Sequence, residues 1–181
     1  MRVWRVTDAS SAAQYYPGIG FVALNSKDII TFNPRNAHER DTAVKHIMRH
    51  ERWENRKATP LISTYNIYRR AFNEAQRRAD AGEQNVILWE IKLYDNDDQE
   101  DVEYAEVYDL AEEFGFQIPE IAERNAEHEV LFVDQIPRHY VARRKKLTNS
   151  KGSEERLMEN LWGRTKALAF YGAIAFTFEF E

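Results

Sequence analysis

Glu127 and Glu129 are spaced i, i+2 in the run Glu127-His128-Glu129-Val130, just ahead of an apolar stretch and the turn Gln135-Ile136-Pro137. If residues 127–133 are extended, side chains alternate, so both carboxylates project from one face while Val130 and Phe132 take the other. Acids held that close repel one another. A chain keeps such a pair on a well-solvated surface, or where a cation or a developing positive charge is met. The residues alone leave both open. An acid and base for glycan or nucleoside hydrolysis is a poorer fit, because two carboxyls on one face of one strand do not bracket a scissile bond.

Two further sets carry chemistry. Ser63 and Thr64 follow the apolar pair Leu61-Ile62 and precede an amphipathic stretch, so they fall at a strand-to-helix junction. Hydroxyls at such a junction either satisfy local backbone groups or serve a site. His46 and His50 stand i, i+4, with His50 one turn after Ile47 on the same side. No glutamate lies between them in the zinc-protease arrangement and the chain has no cysteine, so no metal site is expected.

The elements that must position these residues can be read from periodicity. Residues 2–6 alternate as a strand, and Gly18-Ile19-Gly20 turns the chain into a second short strand at 21–24. Residues 42–53 have helical spacing. Pro60 bars a helix before Leu61-Ile62, Asn66 can cap a helix with the stripe Ile67, Tyr68, Ala71, Phe72, Ala75 and Ala79, and Gly82 ends it. Residues 86–93 read as a strand, and Val107, Leu110, Ala111 and Phe114 as a short helix closed by Gly115. After strands at Glu127 and at Tyr140-Val141, Ser153 precedes a helix, and Phe176, Phe178 and Phe180 alternate as a last strand. The order does not alternate as βαβ units, which disfavours a doubly wound parallel sheet and favours an α+β fold with antiparallel sheets.

Composition sets the bounds. A chain of 181 residues, 43% apolar and 13% aromatic, can bury one substantial core, so a single domain spanning 1–181 is expected. The net charge of −5 argues against a dedicated nucleic-acid binder. A basic stretch at 138–151 reads as a solvated strand end or as a docking surface for an acidic partner or anionic lipid. Residues 95–106, with seven acids, read as a solvated loop. No signal-peptide pattern precedes residue 2 and no apolar run reaches the ~20 residues that span a bilayer. The expectation is a protein acting where it is made, or a mature chain, with no membrane span.

In order along the chain, Trp4-Arg5 followed by Asp8, then Ser63-Thr64-Tyr65 before a helix, then Glu127-His128-Glu129 leading to Ile136-Pro137 resemble the mono-ADP-ribosyltransferase toxins of the cholera and pertussis type. The resemblance covers residues 2–145 and leaves 146–181 as a C-terminal helix and strand extension, a candidate partner surface. It implies two small antiparallel sheets around an NAD cleft, with flanking helices. It also implies NAD as substrate and arginine on a protein as acceptor, in a toxin or effector that is secreted into a host cytoplasm or acts in its own. Breaking the nicotinamide–ribose bond builds oxocarbenium character that a carboxylate can stabilise. The resemblance gives that role to Glu129 and acceptor positioning to Glu127. It gives Ser63 and Thr64 support of the carboxylate or ribose, Arg5 the phosphates, and His50 or His46 the adenine-side ribose. Water in place of arginine would make an NAD glycohydrolase, and loss of chemistry a binding module of the same fold.

Overall fold

The computed structural model describes residues 1–25, 27–52, 57–94 and 102–149. The helix and strand expected after Ser153, and most of the acidic run, lie outside these residues.

The chain is α+β, with two antiparallel sheets and four helices among the described residues. Strand β1 (Arg2–Thr7) is followed by β2 (Gln14–Tyr16), β3 (Gly20–Val22) and helix α1 (Ala37–His50). Then come β4 (Leu61–Tyr65), α2 (Tyr68–Asp80), β5 (Ile87–Lys92), β6 (Tyr104–Glu106), α3 (Val107–Phe114) and α4 (Glu120–Ala126). Strands β7 (Glu129–Val133), β8 (Gln135–Pro137) and β9 (Val141–Lys146) complete it. Six strands form one sheet in the order β6-β7-β4-β1-β5-β9, and the other sheet runs β2-β3-β8.

The large sheet is covered on both faces, which is why all five residues of β7 are buried. Val130 and Phe132 join Val3, Ile62, Trp89 and Ile91 in a core shared with Phe21 and Ile136 of the small sheet. Leu131 and Val133 point the other way, with Leu61, into a core built on Ala43 and Ile47 of α1 and Val107 and Leu110 of α3. Helix α2 packs Ala71, Ala75 and Ala79 on Val6 and Leu88 of that same side. By alternation Glu129 therefore faces the helices, in line with Leu131.

Several boundaries move from their expected places for local reasons. Helix α1 starts five residues early because Asn36 caps it: the Asn36 side chain accepts from the Glu39 N–H at 2.9 Å, and the Glu39 carboxylate accepts from the Asn36 side-chain amide at 2.9 Å and from the Arg35 N–H at 2.7 Å. Asn66 does not cap α2; the capping position is Ile67, and the Asn66 amide donates to Glu106 at 3.3 Å. Of the acidic run, residues 104–106 are the edge strand β6, and Glu103 accepts from the Thr31 hydroxyl at 2.7 Å, tying the 30–33 loop down. The basic run forms β9 at the opposite edge. Its Arg144 lies over the Trp89 ring at 5.7 Å and its Lys145 over the Phe72 ring at 5.1 Å; charged edges of this kind discourage pairing with another sheet. No helix among the described residues is long and apolar enough to cross a membrane.

Gly20 fixes the small sheet against the chain's return. Its φ is +116°, and a Cβ there would lie 2.1 Å from the Ile136 carbonyl oxygen of β8. Gly20→Ala must both strain the backbone and push β3 from β8, so it should lower unfolding free energy by ~2 kcal/mol or more. Chemical denaturation followed by circular dichroism reads this directly; an unchanged midpoint would contradict the packing described.

Candidate active site

Strand β1 pairs with β5 from Arg2↔Lys92 to Thr7↔Ile87, and β4 pairs with β7 from Leu61↔Val133 to Tyr65↔Glu129. The two ladders meet at a single register pair, Trp4↔Tyr65. Elsewhere β1 and β4 part, and backbone groups along a parting need other partners. Arg5 supplies one: a terminal nitrogen donates to the Ser63 carbonyl of β4 at 2.6 Å, while the other donates to the Ala13 carbonyl, ahead of β2, at 2.9 Å. The guanidinium is 6% exposed and stacks 5.3 Å from the Phe21 ring centre. Burial, and then Arg78, lower its pKa to about 10, so it remains a cation at neutral pH.

A cavity of about 370 Å³ is lined at this parting by Arg5, Ser63, Tyr65 and Glu129, and by His50 and Glu51 from the end of α1. Alternation on β4 turns Ser63 and Tyr65 into it, and the Tyr65↔Glu129 pairing sets the carboxylate beside them. Helix α1 is held over the sheet by Ile47, so its last residue His50 and its C-cap Glu51 arrive opposite the strands.

The polar groups form one chain. His50 Nδ1 lies 2.7 Å from the Thr59 hydroxyl and Nε2 lies 2.7 Å from the Ser63 hydroxyl; Ser63 in turn hydrogen-bonds the Glu129 carboxylate. Burial, and then Arg5, push the imidazole down to about 4, so His50 is neutral near pH 7. A neutral imidazole has one donor and one acceptor. If Ser63 donates to Glu129, its oxygen accepts from Nε2–H, and Nδ1 accepts from Thr59, which satisfies every member. Burial raises the pKa of Glu129, and the Ser63 hydrogen bond and Arg5 oppose that rise only in part.

Of the residues singled out in the sequence, Arg5, His50, Ser63 and Glu129 converge on one cavity. His46 does not line it; it is buried on α1 with Nε2 3.6 Å from Asp28. Thr64 does not line it either. One step along β4 from Ser63, it points to the opposite face and its hydroxyl donates to the Val130 carbonyl at 2.8 Å, so its role is structural. Glu127 departs most from expectation. It is not extended: φ −54°, ψ −26° make it the C-cap of α4, the strand begins at Glu129, and the side chain is 62% exposed, 3.6 Å from His128. The two glutamates therefore do not share a strand face, because α4 carries the chain to within two residues of the strand. Arg5 also differs: its fork is engaged with main-chain carbonyls, and only Nε is buried without a partner.

Glu51 is not singled out in the sequence, where nothing but its place beside His50 near a helix end marks it. It is 2% exposed, and its Oε1 is buried without a hydrogen-bond partner. Burial and then Glu129 raise its pKa, and its place at the C-terminal end of a helix also disfavours a negative charge. Among the described residues no group of side chains is placed to hold a metal.

The fold and site thus define an α+β domain with a cavity that carries buried carboxyls where a sheet parts. Residues 2–150 match the family described as a domain of unknown function, DUF7587, and the chain belongs to it. No curated protein and no solved structure matches the chain.

His50 gives the site a pH signature. Its folded-state pKa is depressed from 6.5 to about 4, so between those values the unfolded chain binds a proton that the folded one does not, and folding loses stability as pH falls. His50→Gln removes that linkage. Relative to the variant, the wild-type protein should lose up to ~3 kcal/mol between pH 7 and pH 4, read from urea unfolding across that range; parallel curves would contradict a neutral buried His50.

Proposed function

We propose that the chain is an NAD-dependent mono-ADP-ribosyltransferase. The observation that carries this reading is the convergence of Glu129, Ser63, His50 and Arg5 on one cavity, with Arg5, Ser63 and Glu129 in segments whose order in the chain resembles that of the transferase toxins. The volume, about 370 Å³, is within the usual range for small-molecule sites, and Arg49, Arg52 and Lys57 also line it, offering positive charge for the phosphates of a dinucleotide.

In this reading the nicotinamide ribose enters against Glu129. As the C1′–N1 bond of NAD lengthens, its electron pair goes to the departing nicotinamide and positive charge gathers on the ribose, where the buried carboxylate stabilises it. Ser63 holds that carboxylate by its hydroxyl, and His50, fixed by Thr59, holds Ser63. Arg5 keeps the parted strands in register from beneath. Tyr65 is the apolar and aromatic wall of the cavity beside Glu129. These are positioning roles; Glu129 is the catalytic residue.

The acceptor is arginine on a protein, with Glu127 as the solvent-facing carboxylate that receives the incoming guanidinium two residues before Glu129. A second reading, NAD hydrolysis with water as acceptor, is favoured by the absence of Glu127 from the cavity lining. Incubation with labelled NAD, with and without agmatine, separates the two. Wild-type protein should release nicotinamide and label agmatine, and Glu129→Gln should lower both by ~10²-fold or more, the scale of one key electrostatic stabiliser. Glu127→Gln should lose labelling yet retain hydrolysis. Nicotinamide release no higher than buffer, or unchanged by Glu129→Gln, would overturn the transferase and hydrolase readings together.

A further inference from the structure

Glu129 is not the only carboxyl in the cavity. Glu51 reaches it from the C-cap of α1, on the residue next to His50, and shares the lining with Glu129. Both are nearly inaccessible, at 2% and 9% exposure. Glu129 has a donor in Ser63, whereas Glu51 Oε1 has none. Two buried carboxylates on one lining cannot both be ionised cheaply: like charges on buried groups favour one proton between them. Five cations share the lining with them, two of which are engaged elsewhere. Arg5 is turned to main-chain carbonyls, Arg78 is held by Asp8 at 2.8 Å and Glu74 at 2.7 Å, and His50 is neutral in its hydrogen-bonded place. Tyr65 faces the pair from β4 as an uncharged phenol, while Arg49, Arg52 and Lys57 stand along the same lining.

We propose that Glu51 and Glu129 form a carboxyl pair that carries one proton in the empty cavity and releases it when a cationic group enters. In the reading given above, on which the identity of the ligand rests, that group is the positively charged nicotinamide–ribose portion of NAD. The unpartnered oxygen of Glu51 becomes its second contact, and the proton passes to solvent. Glu51 thereby makes this part of the cavity selective for a cationic ring: an analogue whose nicotinamide ring is uncharged, such as reduced NADH, gains nothing from the second carboxylate. Both carboxyls are shifted upward by burial, and Glu129 adds to the rise of Glu51, in agreement with this arrangement.

Two measurements on the whole chain test it. In protein with ¹³C-labelled glutamate side-chain carboxyls, a pH titration should show one carboxyl of the free wild-type pair still protonated at pH 7, and Glu129→Gln should lower the titration of Glu51, because Glu129 no longer holds it up. Two carboxyls that both titrate near 4.5 in wild type would overturn the pair. Calorimetric titration with NAD at pH 7, in buffers of different ionisation enthalpy, should show release of about one proton per NAD bound, with none for Glu51→Gln and weaker binding of NADH than of NAD. NAD binding without proton release, or with release unchanged in Glu51→Gln, would overturn the displacement. No heat with NAD would instead remove NAD as the ligand and displacement by it, and the carbon titration alone would then decide the shared proton.

Discussion

The guanidinium of Arg5 is the constraint on which the site depends. Where β1 and β4 part, a buried carbonyl left without a partner would be costly. Arg5 gives a partner to Ser63 of β4 and, ahead of β2, to Ala13. The parting can then be kept open as a cavity instead of closing as a sheet. A lysine could not do this, because it presents one compact donor cluster and not a planar fork.

Everything on the helix side follows from that opening. Once β4 is free of β1 beyond Trp4↔Tyr65, its inward residues Ser63 and Tyr65 face space, and α1, seated on Ile47, brings His50 and Glu51 over it. The cavity holds two buried carboxyls, one buried cation that is turned to backbone oxygens, and Arg49, Arg52 and Lys57 along the same lining. A site built so offers carboxyls to a positive group and cations to an anionic one, and strained electrostatics of this kind are common where proteins bind or react.

How much of this was legible in the sequence depended on whether the signal was local. The strands at Arg2–Thr7 and Leu61–Tyr65 and the helix ended by Gly115 were readable, because alternation, a preceding proline and a left-handed glycine act over a few residues. The antiparallel α+β class was readable from element order. Glu127 was misread because α4, a seven-residue helix with little apolar periodicity, was not seen, and its last turn sets the backbone of Glu127. Thr64 was misassigned because adjacency in sequence is opposition in a strand. Glu51 gave no sign at all: its burial arises from α1 crossing the end of β4, a contact between segments that no local pattern encodes.

The central claim is that the cavity at the parting of β1 and β4 receives the nicotinamide end of NAD against Glu129. A crystal structure of Glu129→Gln grown with NAD measures this most directly, since the variant should bind without turning the ligand over. The account predicts the nicotinamide ribose within hydrogen-bond distance of residue 129, the ring beside Tyr65 and the phosphates toward Arg49, Arg52 and Lys57. A ligand bound elsewhere on the domain, with the Arg5, Ser63 and His50 hydrogen bonds undisturbed and the cavity filled only by water, would contradict it.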